Sequence, residues 1–166
     1  MFTRQAVALP LNKRSFGKRR FIACDIENVV GGAVDTVEQA ASAWAEIDQA
    51  LAYSSGEQVV VGVCHRSLLA TGLALPSARC VVKSGADGAD LALIDVLLGE
   101  NICERFSEVV LVTGDGIFAD AVSRLEAEGT RVTVVAREGH LSNRLRMAAS
   151  SVIMLQDGYC ELGDAA

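Results

Sequence analysis

The chain has 166 residues, 51% of them hydrophobic, and 21 acidic residues against 15 basic residues give it a formal net charge of −6. This length fits one domain with a proper core, and the composition is too apolar for a disordered protein. No apolar run reaches the roughly 18 residues that a membrane span needs, and after the first basic residues no apolar segment of the kind found in a secretory signal lies within reach of a small-residue cleavage site, so neither a membrane protein nor a secreted one is expected.

The first 19 residues show no clear periodicity and end in a basic cluster. The bases of this short stretch are Lys13, Arg14, Lys18, Arg19 and Arg20. We expect residues 1–19 to form an arm that is either simply solvated or in contact with nucleic-acid phosphates. Residues 157–166 are expected to be a tail, which leaves residues 20–156 as the folded domain.

From residue 20 onward, short apolar runs rich in β-branched residues alternate with helical patterns. The predicted strands span residues 21–24, 59–63, 80–82, 109–112, 132–135 and 152–155. The predicted helices span residues 37–52, 66–72, 90–98, 118–128 and 142–149. Gly129 is expected to stop the fourth helix and Ser142 to cap the fifth. Because the apolar runs are continuous, the strands should be buried on both faces, which predicts an α/β fold: a three-layer α/β/α sandwich with a mainly parallel central sheet.

The cysteines indicate a reducing compartment. There are five, Cys24, Cys64, Cys80, Cys103 and Cys160, an odd number without a C-x-x-C pair. Their spacing does not suit a zinc site, and most lie in or beside apolar runs. We therefore expect buried thiols in a cytoplasmic protein.

Acidic side chains follow the predicted strands where each strand ends. Asp25 follows the first strand, Asp90 opens the helix after the third, and Asp115 follows the fourth. In an open parallel sheet, ligands bind outside the carboxyl ends of the strands. Acids gathered there would repel one another unless a cation lay between them, and Mg²⁺ and Mn²⁺ prefer carboxylate oxygens. The sequence therefore predicts a divalent-metal site suited to phosphodiester chemistry on nucleic acid.

Other polar residues at these strand ends each allow two interpretations. Asp87 and Asp120 are further candidate ligands, although Asp87 could instead favour a helix dipole and Asp120 could belong to a solvated helix face. Glu27 could be a surface acid, and Asn28 could simply cap or turn its loop. Thr113 could bond a ligand oxygen or only satisfy the backbone of its loop.

Four segments then appear in a particular order along the chain. They are DIEN at 25–28, GADGADLAL at 85–93, TGDGIF at 113–118, and Gly129-x-x-Val132. In this order, and after these strands, they resemble the NYN domain family, a branch of the PIN-like nucleases, over roughly residues 20–156. The resemblance implies a PIN-like fold with the sheet order 3-2-1-4-5 and a ribonuclease that depends on Mg²⁺ or Mn²⁺.

The family motifs carry over residue by residue. Asp25 and Asn28 match a D-x-x-N element after strand one, and Asp90 matches an aspartate that opens the helix after strand three. Asp115 matches the first acid of an S-G-D-x-D-F element after strand four. The resemblance thus implies that Asp25, Asn28, Asp90 and Asp115 are catalytic, with Asn28 orienting the scissile phosphate or a water.

The S-G-D-x-D-F element is incomplete in this chain. Thr113 replaces the serine and Phe118 matches the last residue, but Ile117 stands where the second acid belongs. A missing ligand would weaken metal binding or abolish cleavage. Asp120, one helical turn on, is the candidate to compensate, and Asp87 could add a ligand where many relatives have asparagine.

The expected partner is RNA. Arg144 and Arg146, together with the basic arm, are expected to hold its backbone, while Asn28 and Thr113 are expected to contact the substrate. Aromatic residues make up only 5% of the chain, so base stacking is a poor basis for recognition, and single-stranded RNA with little sequence preference is expected. The sequence leaves open endo- or exonucleolytic cleavage, and a monomer or a homodimer.

Two alternatives remain at this point. A phosphatase resembling the haloacid dehalogenase superfamily would use Asp25, Lys83 and Asp115 in a similar chain order, although position 27 is glutamate rather than the usual aspartate. A non-catalytic module that binds RNA or protein would explain Ile117.

Overall fold

The computed structural model describes residues 19–155 and contains a parallel sheet of six strands between two layers of helices. The strands are β1 (Arg20–Asp25), β2 (Gln58–Gly62), β3 (Arg79–Val81), β4 (Glu108–Val112), β5 (Arg131–Arg137) and β6 (Ser151–Leu155). Their spatial order is β3-β2-β1-β4-β5-β6, and every neighbouring pair is parallel. The predicted three-layer α/β/α fold and the order 3-2-1-4-5 are confirmed, with β6 added at one edge.

Seven helices connect the strands in the described part of the chain. They are α1 (Ile26–Val30), α2 (Val37–Leu51), α3 (Leu68–Ala74), α4 (Gly88–Gly99), α5 (Ile102–Arg105), α6 (Ala119–Ala127) and α7 (Asn143–Ala148), and a 3₁₀ turn at Gly116–Phe118 precedes α6. Two of the short helices, α1 and α5, were not predicted, because four or five residues are too few to show a helical period.

The core lies on both faces of the sheet, as the continuous apolar strands predict. Alternate residues of β1 point to opposite faces: Ile22 packs with Ile47 of α2 in one cluster, and Phe21 packs with Leu97 of α4 in the other. Because β1 is buried from Phe21 to Asp25, the carboxyl end of the central strand is held rigidly.

The chain reverses its direction of winding beside β1. It runs from β1 outward through β2 to β3, then returns to place β4 on the other side of β1. The topological switch point therefore lies between the carboxyl ends of β1 and β4, where open α/β sheets bind their ligands.

Two helix-end predictions have different outcomes. Gly129 follows α6 with a φ of +88°, the left-handed conformation that glycine adopts most easily, so its predicted role is confirmed. Ser142 does occupy the residue before α7, but its side chain makes no capping hydrogen bond. Its hydroxyl oxygen lies instead 2.6 Å from where a Cβ on Gly116 would stand.

The predicted arm and tail lie outside the described residues, except for Arg19 at the start of the structure. Arg19 packs over the ring of Phe106, and Arg20 is ion-paired with Glu57. Arg20 begins β1, so these two bases lie at the amino edge of the sheet, opposite Asp25. Within residues 19–155, no helix has both the length and the apolarity needed to cross a membrane.

Candidate functional site

A cavity of about 290 Å³ opens at the carboxyl ends of β1 and β4, beside the start of α4. Carboxylates dominate its lining, and they are Asp25, Glu27, Asp87, Asp90 and Asp115. Asn28 and Cys64 contribute further polar atoms, and none of the described residues that line the cavity is a lysine, arginine or histidine. The structure thus brings Asp25, Asn28, Asp90 and Asp115 to one place, together with Asp87 and Glu27.

Asp25 is the most deeply buried acid of the cavity. It ends β1, is only 5% exposed, and accepts hydrogen bonds from the Asn28 backbone N–H at 3.2 Å and from the Thr113 hydroxyl at 3.1 Å. Burial raises the pKa of this carboxyl, while the hydrogen bonds from Asn28 and Thr113 oppose that rise. The first of these bonds also caps α1, so the carboxylate is held by the element that follows it.

Asp90 lies in the first turn of α4 and is hydrogen-bonded to Asp25. Burial, and then the negative charges of Asp25 and Asp115, raise the pKa of Asp90 to about 7. Near neutral pH the pair Asp25–Asp90 therefore holds a proton that two separate carboxylates would have lost.

The loop after β4 ties the two strand ends together. The Thr113 hydroxyl donates to Asp25 and accepts the Asp115 backbone N–H at 3.2 Å, and the Gly114 N–H donates to the Asn28 side-chain oxygen at 2.9 Å. Thr113 is fully buried and its hydroxyl already contacts Asp25 and the Asp115 backbone, so its predicted contact with substrate stays a prediction. The expected contact with the loop backbone is present, and the further contact with Asp25 is one that the sequence could not show.

Asp115 is the exposed acid of this loop. One carboxylate oxygen accepts the Ile117 N–H at 2.9 Å, which starts the 3₁₀ turn. Ile117 itself is partly buried and packs against the core on the α4 side of the sheet. A residue that packs against the core therefore occupies the position of the missing acid.

Glu27 is not simply the surface acid that was one interpretation of the sequence, because it lines the cavity and makes a contact between two segments. Its carboxylate accepts the Cys64 backbone N–H at 2.8 Å, which joins α1 to the segment after β2. Asp87 stands just before α4 with a φ of +57°, a left-handed conformation that is uncommon for residues other than glycine. Both carboxylates face the same cavity as Asp25.

The structure does not bring Asp120 or Arg144 into the cavity. Asp120 has a side chain that is 92% exposed, and it is ion-paired with Arg144 at 3.3 Å. Asp120 does not line the acid cavity in this structure, so its role as a compensating ligand stays a prediction. Arg146 lies outside the cavity as well, and lines a separate one.

The chemistry of the acid cluster fits a hard divalent cation, although its geometry is not yet that of a metal site. Among the described residues, no group of three or more histidine, cysteine, aspartate or glutamate side chains is arranged so that it could hold a metal ion. The side chains of Asp25 and Asp90 are hydrogen-bonded to each other instead. The cluster offers the oxygen ligands that Mg²⁺ and Mn²⁺ prefer. Either ion would also offset the negative charge that raises the pKa of Asp90.

We expect the metal-free domain to lose stability as the pH rises from about 4 to about 7. The pKa of Asp90 is raised from 3.8 to about 7 in the folded chain, so the folded state holds an extra proton between these values. That contribution to stability is present below 3.8 and is lost as the pH rises through about 7. Thermal unfolding in chelator should show the decline, and Asp90→Asn should flatten it. A midpoint that stays level in wild type, or an unchanged slope in the variant, would contradict this assignment.

Comparison with known proteins finds a family model, a curated relative and a solved structure that resemble this chain. The family model of the NYN domain matches residues 21–156. Low amplitude and bright protein LabA of Synechococcus elongatus is 40% identical over 57 residues, which are 34% of this chain and 31% of LabA, so the match spans about a third of that relative. The crystal structure of a protein of unknown function from Vibrio parahaemolyticus superposes with a TM-score of 0.57 at 18% identity, covering 87% of this chain and 97% of the other. That likeness shows the fold.

Proposed function

The chain belongs to the NYN domain family of PIN-like nucleases, and from this premise we propose that it hydrolyses phosphodiester bonds of single-stranded RNA with the help of Mg²⁺ or Mn²⁺. One observation carries the proposal: five carboxylates line a single cavity at the switch point of the sheet, and no described base of that lining offsets them. So much negative charge in one cavity does not favour stability, since each acid raises the cost of ionising its neighbours, and such a cluster is typical of a functional site.

In this proposal Asp25, Asp90 and Asp115 hold the ion, and Asp87 and Glu27 add negative charge to the cavity. When bound, a divalent ion supplies positive charge that offsets the charge on a phosphoryl group during displacement. Asp90 gives up its proton when the ion binds, so binding should tighten as the pH rises through about 7.

Asn28 is proposed to orient the scissile phosphate. Its side-chain oxygen already accepts the Gly114 N–H at 2.9 Å, which fixes the side chain and leaves the amide nitrogen as the donor. An amide nitrogen can donate two hydrogen bonds and accepts none, so it suits a phosphate oxygen and not a cation. The Thr113 hydroxyl positions Asp25.

The proposal also covers the chain segments that the structure does not describe and the location of the protein in the cell. The domain would be residues 20–156, with residues 1–19 as a basic arm that adds phosphate contacts, so RNA binding should weaken steeply with salt. Cys24, Cys64, Cys80 and Cys103 are all free, which supports a reducing, cytoplasmic location.

A second function, a non-catalytic module that binds RNA or protein, is favoured by Ile117 at the place of an acid and by the absence of a ready metal arrangement among the described residues. The phosphatase alternative has no such support. It needs Lys83 beside the acids, and the structure pairs Lys83 with Asp95.

The test is cleavage of generic single-stranded RNA by the full chain with Mn²⁺ or Mg²⁺, and with chelator. We expect products only when the ion is present, and recovery of cleavage when Mn²⁺ is added back after chelation. RNA that is bound but left uncut under all conditions would support the binding module. Cleavage that continues in chelator would contradict the role given to the acid cluster.

A further inference from the structure

A second cavity, of about 460 Å³, lies at the same edge of the sheet as the acids, between the loop after β5, α7 and β6. The residues that shape it are Glu138, Leu141, Asn143, Arg146, Val152 and Met154. Nothing in the proposed cleavage uses this cavity, and it is larger than the cavity formed by the acids.

The loop that walls this cavity is fastened directly to the acid site. The Ser142 N–H donates to the Gly114 carbonyl oxygen at 2.8 Å, and Gly114 precedes Asp115 in the chain. A Cβ on Gly114 would come within 2.1 Å of the His140 carbonyl oxygen, so the two loops touch along their backbones. The two cavities are therefore joined by touching loops, and a nucleotide chain bound at the acids can extend over β4 toward this cavity.

The chemistry of the lining matches one nucleotide. Leu141, Val152 and Met154 form an apolar wall of the kind against which a base or the face of a sugar can pack. Asn143 has an amide that can both donate to and accept from a base edge. Glu138 supplies carboxylate oxygens that can accept hydrogen bonds from ribose hydroxyls.

Arg146 is the cation of the cavity. It is exposed, and no ion pair engages it within residues 19–155, whereas Arg144 on the same helix is held by Asp120. A guanidinium presents donors that match phosphate oxygens, often two at a time. The cavity thus combines an available phosphate donor with an apolar wall, beside a cluster of acids that repels phosphate when no metal is bound.

We propose that this cavity is a subsite for one nucleotide that flanks the scissile bond, with its phosphate on Arg146 and its base against Val152 and Met154. The position of this nucleotide beside the scissile bond rests on the proposed function, whereas the binding of a nucleotide rests on the cavity alone. It makes Arg146 a substrate-binding residue and leaves Arg144 outside the subsite.

The methionine methyl groups allow a direct test. The chain has three methionines, and two of them lie in the described part: Met154 lines the cavity, while Met147 is 87% exposed on α7 and does not line it. The full chain, labelled with ¹³C at the methionine methyls, is titrated with uridine or adenosine monophosphate in the presence of chelator. We expect a saturable shift of the Met154 signal and no matching shift of Met147.

Two variants and two ligand controls complete the experiment. Arg146→Gln should weaken binding of the monophosphate at least about tenfold, because a hydrogen bond to a charged group is lost, and Arg144→Gln should bind as wild type does. The unphosphorylated nucleoside should bind more weakly than the monophosphate. If inorganic phosphate moves the Met154 signal as strongly as the nucleotide does, the cavity is only an anion site and the inference is overturned.

The outcomes separate this inference from the proposed function. A Met154 signal that stays fixed up to millimolar nucleotide, or equal binding by Arg146→Gln and Arg144→Gln, overturns the subsite even if RNA is cleaved. A specific Met154 response in a protein that cleaves no RNA overturns the nuclease and keeps the nucleotide site.

Discussion

Replacing Asp25 by asparagine should lower the rate of metal-dependent RNA cleavage by about a thousandfold or more while leaving the fold intact. Asp25 is the centre of the acid cluster: it is buried at the end of β1, bonded to Asp90 and held by Thr113. Asparagine keeps the size and the planar shape of the side chain but removes one negative charge and one oxygen ligand. The pKa of Asp25 is raised by burial, so the neutral residue should cost the fold little, and the unfolding midpoint should stay within a few degrees of wild type.

The matched control for this variant is Asp95→Asn. Asp95 is an aspartate of α4, the helix that carries Asp90, but its carboxylate is ion-paired with Lys83 and lies outside the acid cavity. This variant should cleave RNA at the wild-type rate, because an exposed ion pair contributes little to stability or to the site. Equal cleavage by Asp25→Asn and wild type would remove the acid cluster from the reaction.

Replacing Gly114 by alanine should destabilise the domain by about 2–4 kcal/mol and should also impair cleavage. An added Cβ would stand 2.1 Å from the His140 carbonyl oxygen and 2.8 Å from its carbon, and both are backbone atoms that cannot rotate away. The loop after β4 would have to move. That movement would pull the Gly114 N–H from Asn28 and shift Asp115 within the acid cavity.

Gly72→Ala is the control for a general effect of replacing glycine. Gly72 lies inside α3, and a Cβ there meets nothing within 4 Å. Alanine favours a helix interior by about 0.8–1 kcal/mol over glycine, so this variant should gain stability. Chemical denaturation of the two variants measures both effects. If Gly114→Ala unfolds at the same denaturant concentration as wild type, the close contact between the two loops does not exist in solution.

The fold was predictable because the sequence patterns that indicate it are continuous apolar runs, each confined to one short segment. The runs 21–24, 59–63, 109–112 and 132–135 are continuously apolar, and this pattern is typical of strands covered on both faces. The order of the strands came from a resemblance and not from the pattern itself, since periodicity does not determine which strands are neighbours. Helix α1 was not predicted because its five residues are held by a side-chain cap on Asp25 and by Gly31 at φ +86°, not by an amphipathic face.

The site was predictable only in part. The rule that ligands bind at the carboxyl ends of strands was enough to place Asp25, Asp90 and Asp115 at one edge, and the structure brings them to one cavity. The spacing of residues along the sequence does not reveal the direction in which each side chain points. Thr113 points inward to Asp25, and Asp120 points outward to Arg144, because a buried strand end and a 3₁₀ turn fix directions that a count of residues cannot.

Ile117 supports the fold but cannot serve as a metal ligand. As a side chain, it packs partly buried against the core and leaves the loop after β4 in place. As a ligand, it contributes nothing, so the cluster depends on Asp25, Asp90 and Asp115 with Asp87 and Glu27 nearby.

The most direct test of the account is anomalous scattering from Mn²⁺ in crystals of the full chain grown above pH 7, where Asp90 has lost its proton. We expect manganese density in the acid cavity, in contact with oxygens of Asp25, Asp90 and Asp115. Density that appears only elsewhere in the molecule, or an acid cavity in which Asp25 and Asp90 still bond to each other at saturating Mn²⁺, would contradict the claim that these carboxylates share a cation.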